Sequence, residues 1–489
     1  MLGKFDPQRN FFDEQLFRRM LPAEHPLLDI DRTVDFSFVE AELAACYSPD
    51  TGRPSYPPEQ LFRILFLELW ANLSDVQVCQ QLCYNVLYRY FCRIGWEDEI
   101  PDATTLVRFR QRLGEEGAAR LLQRLVAQAR EKGCLRGRWA VLDATAIQAH
   151  AAARRQVEVL REGRRRLWEA VHEARPEAAA ALQALAEPVP DGEHEDQARL
   201  LQAERERTEA LLQALAARDA DAAPRARRVR EQVQRVLQDE GAGSLADPEA
   251  RWGYQRKDRS FFGYKAHVVT DETGFVLAAQ VTPGHAADVE QARGLVEQVQ
   301  AQGMRPRRLA ADKAYDAAAL REALVEQGVR PYIPRRTKAG RLEEQGFTYD
   351  ARADRWTCPQ GKRSIGKTPH QQGGYLVYFS EQDCRRCPLA AQCVSKSQNR
   401  KVIYWQPATD RHRPKGLKRA LRVRKAVERT FGEGKQWHGM GRSRYCGRAR
   451  TAVQVLLTCM VIDAKKMARR LAGKNPKRRK PRSGAEVAA

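Results

Sequence analysis

Carboxylates stand at two places in the sequence where they could bind a divalent cation. Asp143 interrupts the short apolar run at 139–147, and Asp312 ends another such run at 308–312. An isolated Asp in such a position is usually a helix cap or a turn former. Two carboxylates at the edge of one sheet repel each other unless a cation lies between them, and Mg²⁺ takes oxygen ligands from a few carboxylates and substrate phosphates. In so basic a chain, the pair predicts a divalent-metal site.

A third carboxylate lies between two cations on a predicted helix. The segment 417–437 has helical spacing, and at about 100° per residue Arg424, Glu428 and Lys435 share one face. Such a face offers a metal ligand between two cations, which suits a phosphate lying beside the metal. The competing interpretation is an ordinary salt-bridged helix face.

A sheet and its connecting helices are needed to bring these side chains together. The run around 140 predicts a strand, and runs at 264–270 and 275–281 on either side of Asp271-Glu-Thr-Gly predict a hairpin. The elements predicted next are a helix, a strand, a helix and a strand, at 288–302, 308–312, 317–327 and 329–333. This order predicts a mixed α/β layer architecture.

Helical segments flank and interrupt the α/β region. Residues 1–135 are predicted to form several short helices, which suit a DNA-binding head or a dimerisation domain equally well. Residues 151–250 are rich in Ala, Glu, Arg and Leu at helical spacing, which predicts a helical hairpin or coiled-coil insertion acting as a spacer. An apolar helix is expected from 451 to about 471, and the basic tail 472–489 is expected to be disordered when free.

The charge balance favours a polyanionic partner. The chain has 84 Lys and Arg against 62 Asp and Glu, a formal charge of +22. Binding phosphates releases counterions condensed on nucleic acid, so nucleic acid is the predicted partner, and a ribosome-associated or merely basic cytosolic protein is the alternative. The first residues lack the plan of a signal peptide, and the best apolar stretch, 452–464, is too short to span a membrane. We therefore expect a cytoplasmic protein without membrane contact.

Four of the 11 cysteines fall within the irregular segment 335–415. They are Cys358, Cys384, Cys387 and Cys393. The cytosol keeps thiols reduced, which argues against disulfides. Four thiolates can close a tetrahedral structural Zn²⁺ site, which would help order a segment expected to be too small for a core of its own. Four reduced thiols are the alternative interpretation.

Taken together, these residues resemble the DDE transposases of bacterial insertion sequences, within the retroviral-integrase superfamily. That family's third block reads Tyr, two residues, Arg, three residues, Glu, six residues, Lys. This chain keeps Arg, Glu and Lys at that spacing but has Leu421 in place of Tyr. Further resembling segments are Pro101-Asp-Ala-Thr-Thr-Leu, Phe262-Gly-Tyr-Lys-Ala-His, Val281-Thr-Pro-Gly-His-Ala-Ala-Asp and Ala311-Asp-Lys-Ala-Tyr-Asp. The resemblance covers about residues 10–150 and 250–465, and the chain looks like the group with a helical insertion after the first Asp.

The resemblance implies an RNase-H-like catalytic core in which Asp143, Asp312 and Glu428 hold two Mg²⁺ (or Mn²⁺) ions. It implies cleavage at the 3′ ends of the terminal inverted repeats and strand transfer into target DNA. The protein would act on double-stranded DNA as a homodimer or larger assembly, in the bacterial cytoplasm at the nucleoid. The residues expected to contact DNA are Arg424, Lys435, Lys265 and His267, and for Lys265 and His267 a strand-surface role is the alternative. Trp437 is expected to pack against the core.

The predicted fold class is α/β, an RNase-H-like mixed-sheet core with three additions. The predicted core segments are 136–150 with 251–334, and 416–471, which carries Glu428. The additions are the helical domain 1–135, the helical insertion 151–250 and the cysteine-containing insertion 335–415, followed by the tail 472–489. A metal-dependent nuclease of the same fold and a domesticated, inactive DNA-binding protein are alternative functions. A zinc-dependent RNA-binding protein would leave the spacing of the Arg, Glu and Lys unexplained.

Overall fold

A six-stranded mixed sheet forms the centre of the fold. The structure is a computed structural model that describes residues 3, 10–48, 51–52, 54–190, 197–218, 223–239, 241–256, 259–334, 345–350, 352–370, 374–395, 398–405 and 416–473. The strands are β1 (Trp139–Gln148), β2 (Arg251–Arg256), β3 (Arg259–Thr270), β4 (Val276–Pro283), β5 (Arg308–Ala310) and β6 (Arg330–Tyr332). β5 pairs in parallel with β1 and β6, whereas β3 pairs antiparallel with β1, β2 and β4. The predicted α/β fold class is confirmed.

The β3–β4 hairpin forms where its turn residues predicted it. Asp271 Oδ1 accepts a hydrogen bond from the Phe275 N–H at 3.0 Å, and Gly274 has a φ of +90° that is costly for residues with a Cβ. At the other end of β3, a Cβ on Gly263 would lie 2.1 Å from the carbonyl oxygen of Ile147. Glycine therefore lets β3 pass close to the end of β1.

The N-terminal helices share one apolar core with the sheet. They are α1 (Phe11–Met20), α2 (Pro26–Thr33), α3 (Phe38–Leu43), α4 (Pro58–Trp70), α5 (Asp75–Tyr84), α6 (Val86–Phe91) and α7 (Ala103–Glu131), with a 3-10 helix at Ala44–Cys46. Ser74 begins α5 with a capping box, and Gly114 breaks the helical geometry of α7 with a φ of +58°. Leu65 of α4 and Phe109 of α7 lie in the same buried cluster as Val268 of β3.

Helices of the insertion at 151–250 pack on one another around two small cores. They are α8 (Gln156–Ala174), α9 (Pro176–Ala180), α10 (Gln183–Ala186), α11 (Gln197–Ala217) and α12 (Pro224–Gln238). Arg164 and Glu204 form an ion pair in which both side chains are fully buried. Arg164 also donates to Thr208 Oγ1 at 2.8 Å. These extra hydrogen bonds are needed because burying two charges is costly.

Two helices cover one face of the sheet. α13 (Asp288–Ala301) contacts β3 and β4, and α14 (Ala318–Glu326) contacts α13 and β6. Side chains of a strand alternate between the two faces, and Lys265 of β3 forms an ion pair with Asp288 of α13. Lys265 and its second neighbour His267 therefore lie on the α13 face. A 3-10 helix at Lys313–Tyr315 follows β5.

The cysteine-containing segment has an aromatic core, so the expectation that it is too small for one is wrong. Its elements are β7 (Thr348–Asp350), β8 (Arg355–Thr357), β9 (Gly366–Pro369), β10 (Tyr375–Tyr378), α15 (Glu381–Arg385), α16 (Ala390–Cys393) and β11 (Val402–Trp405). The buried side chains are Phe347, Trp356, Val377, Phe379, Ile403 and Trp405. Large aromatic rings supply the apolar area that a short segment otherwise lacks.

The last two helices join the sheet to the N-terminal helices. α17 (Leu417–Trp437) contacts β1, β3 and β5, and α18 (Arg448–Leu471) contacts β4, α17 and the N-terminal helices α2, α4 and α7. In the part of the chain that the structure describes, no helix is both long and apolar enough to cross a membrane. Beyond residue 473, the predicted basic tail lies outside the described residues.

Candidate active site

Asp143 lies on β1, and Asp312 lies two residues beyond the end of the neighbouring parallel strand β5. Val141 of β1 pairs with Ala310 of β5, and each aspartate follows its member of that pair by two residues. The carboxylates are close enough that Asp312 raises the pKa of Asp143. The parallel pairing thus brings together the two carboxylates that the sequence predicted to share a site.

Local hydrogen bonds hold each carboxylate in place. Asp312 Oδ1 accepts from the Ala314 N–H at 2.7 Å and so caps the 3-10 helix at Lys313–Tyr315. Asp143 Oδ1 accepts from the Ala144 N–H at 3.0 Å, and the Asp143 side chain is 15% exposed. The cap expected of an isolated Asp is therefore present at Asp312, in addition to its position beside Asp143.

Burial is the main electrostatic influence on Asp143. Removing this carboxylate from water raises its pKa, and the neighbouring Asp312 raises it further, whereas the Arg424 guanidinium lowers it. The balance leaves the pKa of Asp143 above its ordinary value. Additional positive charge at this position would stabilise the ionised carboxylate.

α17 brings Arg424 to Asp143 but leaves Glu428 at the surface. Arg424 Nη2 lies 2.9 Å from Asp143 Oδ2 and 3.8 Å from Glu428 Oε1. The Glu428 side chain is 56% exposed, whereas that of Arg424 is 18% exposed. The predicted helix face is present, and its arginine contacts the aspartate of β1.

Lys435 lies on the same face of α17, about 10 Å along the helix axis from Glu428. It is exposed, and its pKa is lowered by partial burial of its stem and by the nearby Arg259 guanidinium. The loop after α17 returns to β1, where the Gln148 N–H donates to the Gly441 carbonyl at 3.0 Å. Two neighbouring cations at the end of β1 form a surface suited to an anion.

His267 lies inside the protein, so the expectation that it contacts DNA is wrong for this conformation. Its ring is 0% exposed, and its Nε2 lies 2.8 Å from Thr282 Oγ1. Burial lowers the pKa of His267 to about 4, so the ring is neutral at physiological pH. Lys265 is mostly buried as well, and its Nζ donates to Asp288 Oδ1 at 2.9 Å and to the Ala286 carbonyl at 2.9 Å.

Sequence reasoning missed Tyr315, which ends the 3-10 helix that Asp312 caps. Its side chain is 1% exposed, and among the described residues its hydroxyl has no hydrogen-bond partner. Burial raises the pKa of Tyr315 well above its ordinary value, and the carboxylates of Asp288, Asp143 and Asp312 raise it further. The only signal in the sequence was its position three residues after Asp312 within a segment that resembles the family.

The predicted metal ligands match a hard divalent ion in chemistry, but they do not surround one point. Asp143 and Asp312 supply carboxylate oxygens, the donor type that Mg²⁺ prefers. Glu428 stands apart, with Arg424 between it and Asp143. Among the described residues, no group of three or more His, Cys, Asp or Glu side chains is arranged to hold a metal ion.

The four clustered cysteines line one cavity of about 510 Å³. The Cys387 N–H donates to the Cys384 carbonyl at 3.2 Å, which makes the two-residue spacing a tight turn. Burial raises the pKa of Cys393, and the other three thiols of the cluster are near enough to influence it. The cysteines are therefore neighbours, although no three of them are positioned as ligands in this described segment.

Trp437, at the end of α17, does not pack into the core as expected. Its side chain is 59% exposed, and it borders a cavity that Trp70, Tyr88 and Lys465 also line. The buried position at this end of the helix belongs to His438, whose Nδ1 lies 2.9 Å from the Leu69 carbonyl oxygen.

Comparison with known protein families finds two matches. Residues 15–112 match the family described as Transposase domain (DUF772). Residues 225–463 match the family described as Transposase DDE domain. The second match contains Asp312 and Glu428, whereas Asp143 lies outside both matched ranges.

Proposed function

Since the chain belongs to the insertion-sequence transposases of the DDE family, which act on DNA, we propose that it cuts the 3′ ends of its mobile element and joins them to target DNA. The observation that supports this most directly is that the parallel pairing of β1 with β5 brings Asp312, two residues beyond β5, near enough to Asp143 to raise its pKa. Binding of the terminal inverted repeats is part of the proposal. The net charge of +22 favours such binding.

We assign Asp143, Asp312 and Glu428 as the ligands of two Mg²⁺ (or Mn²⁺) ions. Such ions, when bound, activate water or a DNA 3′-hydroxyl and stabilise the leaving oxygen. Asp312 is near enough to Asp143 to raise its pKa, and Glu428 would have to turn inward from the surface to join them. Arg424 would have to leave Asp143 Oδ2, because a guanidinium and a metal ion would compete for the same carboxylate oxygen.

DNA would lie along α17 on the face that carries Glu428. Arg424, once released from Asp143, and Lys435 would bind phosphates on either side of the reacting one. Lys435 and Arg259 repel each other at present, so a phosphate between them would be favourable. Lys265 is a weaker candidate, because its ammonium is held by Asp288.

Two DNA ends must be handled together in transposition, so we propose a homodimer or larger assembly on DNA. Bacterial DNA lies in the cytoplasm, and the nucleoid is therefore the proposed site of action.

Cleavage and joining of DNA that carries the element's own flanking ends test the proposed reaction. We would compare wild type with Asp143→Asn, which keeps the size of the side chain and removes its charge. Asp354→Asn is a matched control, because Asp354 pairs with Lys367 in the cysteine-containing segment. Mg²⁺-dependent nicking at the ends by wild type and Asp354→Asn alone supports the proposal. Equal cleavage by Asp143→Asn would remove Asp143 from the mechanism.

A domesticated DNA-binding protein is the second candidate, and one observation favours it. The Arg424–Asp143 contact and the exposed Glu428 leave the carboxylates unassembled. An inactive protein would bind element ends in both wild type and Asp143→Asn without cutting them. Cleavage without joining would instead indicate a metal-dependent nuclease of the same fold.

We also propose that Cys358, Cys384, Cys387 and Cys393 bind a structural Zn²⁺ ion. They line one cavity, and four thiolates directed toward its centre would close a tetrahedral site. Elemental analysis of the purified protein tests this, with Cys384→Ser as the variant and the exposed Cys46→Ser as its control. One zinc per chain in wild type and Cys46→Ser, lost in Cys384→Ser, supports the site. No zinc in wild type leaves four reduced thiols.

A further inference from the structure

A two-stranded ribbon extends the sheet beyond the end of β1. Among the described residues, β1 pairs with β3 as far as Gly263, and β4 pairs with β3 from Tyr264 onward. Over residues 259–262, β3 therefore pairs with β2 alone. We call the described residues of 251–263 the β2–β3 ribbon. It projects past the end of the strand that carries Asp143.

Two large aromatic side chains of the ribbon are exposed to solvent. Trp252 is 50% exposed and Tyr254 is 72% exposed, whereas Gly253 between them is buried. Because side chains alternate along a strand, Trp252 and Tyr254 lie on the same face of the ribbon. The Trp252 ring contacts that of Phe262, with centroids 5.7 Å apart, which leaves half of the tryptophan uncovered. Two neighbouring exposed rings on a projecting ribbon indicate a surface that a partner covers.

These rings lie on the side of the sheet that carries the Asp143 carboxylate. Trp252 pairs with Phe262, and Asp143 pairs with Val268. Directly paired residues share a face, and so do residues an even number of positions apart on one strand. Phe262 and Val268 are six positions apart on β3, about 20 Å along the strand. Trp252 and Tyr254 are therefore on the side where Arg424 of α17 contacts Asp143.

Cations lie beside the ribbon at the end of β1. A Cβ added to Gly441 would be 3.6 Å from Cγ of Lys435, and the Gly441 carbonyl accepts a hydrogen bond from the Gln148 N–H. Arg259 of the ribbon is exposed, and partial burial together with this guanidinium lowers the pKa of Lys435. Residues 251–259 contain four Arg and Lys against one Asp. This excess favours a polyanion over a second copy of the chain, because two equally charged ribbons repel each other.

We propose that the β2–β3 ribbon binds unpaired DNA, with Trp252 and Tyr254 stacked on bases and Arg259 bound to the phosphate backbone. The inference deepens the proposed function, on which it rests, by naming unpaired DNA as a ligand on the active-site side of the sheet. Bases in a duplex are stacked on one another, so their faces are accessible only where the strands have separated. Exposed aromatic rings beside cations are the combination that binds single strands without sequence preference.

Anisotropy of a short fluorescein-labelled oligo(dT) with the full chain measures this binding. We expect Trp252→Ala and Tyr254→Ala each to weaken it about 10-fold, because each removes one stacked base. Tyr254→Phe keeps the ring and should bind as wild type does. Tyr84→Ala is the matched control, because Tyr84 is 65% exposed on α5, and its affinity should be unchanged. Affinity for a duplex of the same length should be the same in all of these proteins.

Wild-type affinity for oligo(dT) in both ribbon alanine variants would overturn the inference. An equal loss of duplex affinity would also overturn it, because the ribbon would then contact paired DNA. A dimer lost in Tyr254→Ala by sedimentation equilibrium, with unchanged affinity for oligo(dT), would assign the ribbon to a second copy of the chain. If Trp252→Ala does not fold without its contact to Phe262, the comparison of Tyr254→Ala with Tyr254→Phe decides alone.

This measurement requires no cleavage, so it separates the inference from the proposed reaction. If wild type does not cut element ends but Tyr254→Ala binds oligo(dT) more weakly than Tyr254→Phe, the reaction fails and the ribbon still binds unpaired DNA. If wild type cuts the ends and Tyr254→Ala retains its affinity for oligo(dT), the reaction holds and only the inference about the ribbon fails.

Discussion

The guanidinium of Arg424 lies 2.9 Å from the carboxylate of Asp143, across 281 residues of chain. This contact joins the helix that carries Glu428 to the strand that carries Asp143, and it partly offsets the cost of burying the carboxylate. A divalent ion would bring the same compensation with more charge. Under the proposed function, Arg424 would exchange Asp143 for a DNA phosphate when metal binds.

Asp143→Asn should be more stable than wild type in the absence of metal. The pKa of Asp143 is raised in the folded chain, with burial as the first cause. A carboxyl group whose pKa is raised by folding stabilises the folded protein at pH values below its ordinary pKa. That stability is lost as the pH rises through the raised, folded-state pKa. The asparagine variant keeps that stability at neutral pH, while it loses DNA cleavage.

Urea unfolding of both proteins at pH 4 and pH 7 measures this difference. We expect a higher midpoint for Asp143→Asn at pH 7 and a smaller difference at pH 4. If wild type is instead more stable than Asp143→Asn at pH 7, the contact with Arg424 stabilises the ionised carboxylate by more than its burial costs.

Lys435→Ala should weaken DNA binding without sequence preference. Lys435 is exposed beside Arg259 at the end of β1, and a single phosphate contact changes the slope of log K against log salt by about 1. Fluorescence anisotropy over a range of salt concentrations, with element-end and unrelated DNA duplexes, measures both the affinity and the slope of log K against log salt. Arg293→Ala is the control, because Arg293 is 68% exposed on α13, which covers the other face of the sheet. If Lys435→Ala and Arg293→Ala have the same slope of log K against log salt, Lys435 does not contact a phosphate.

His267→Gln should leave DNA affinity unchanged and alter the pH dependence of stability. The folded-state pKa of His267 is lowered by burial to about 4, so the unfolded chain takes up a proton first as pH falls. Stability from the neutral ring is complete above the ordinary pKa of about 6.5 and is lost as pH falls toward 4. The stability of His267→Gln should therefore decrease less than that of wild type as the pH falls from about 6.5 toward 4. Weaker DNA binding by a folded His267→Gln would show that the ring becomes accessible.

Local patterns in the sequence were sufficient to predict where the carboxylates stand. Strand alternation and turn residues located β1, β3 and β4, and helical spacing located the face of Arg424, Glu428 and Lys435. The sequence could not show that α13 covers His267, because strand alternation assigns a side chain to a face without saying what packs there. Nor does helical spacing show that Glu428 points away from the aspartates.

Long-range contacts account for the rest of what the sequence did not reveal. The aromatic rings of the cysteine-containing segment form a core only after several short strands come together. Trp437 has the apolar character of a core residue, yet the turn at the end of α17 places His438 inside instead. One of the two arginines that contact Glu68, Arg444, lies 376 residues away from it in the chain, and no local pattern connects the two.

Arg444→Ala should destabilise the protein and loosen the loop that follows α17. Arg444 Nη1 lies 2.7 Å from Glu68 Oε1, and Arg110 Nη2 lies 2.9 Å from the other oxygen of this buried carboxylate. Burial raises the pKa of Glu68 to about 7, although Arg110 and Arg444 lower it. Without Arg444, the Glu68 carboxylate keeps only Arg110 as a charged partner. We therefore expect the free energy of unfolding to fall by about 3 kcal/mol at pH 8.

The loss of stability in Arg444→Ala should be larger at pH 8 than at pH 5.5. Because the folded-state pKa of Glu68 is raised, its stabilising protonated form is present at low pH and is lost as pH rises through about 7. At pH 5.5 Glu68 is mostly protonated with or without Arg444, so the two proteins should differ less there than at pH 8. Urea unfolding at both pH values measures this, with the exposed Arg442→Ala as control. A loss that is equal at both pH values would mean that Arg444 acts through packing and its hydrogen bond to Asn72, and not through the charge of Glu68.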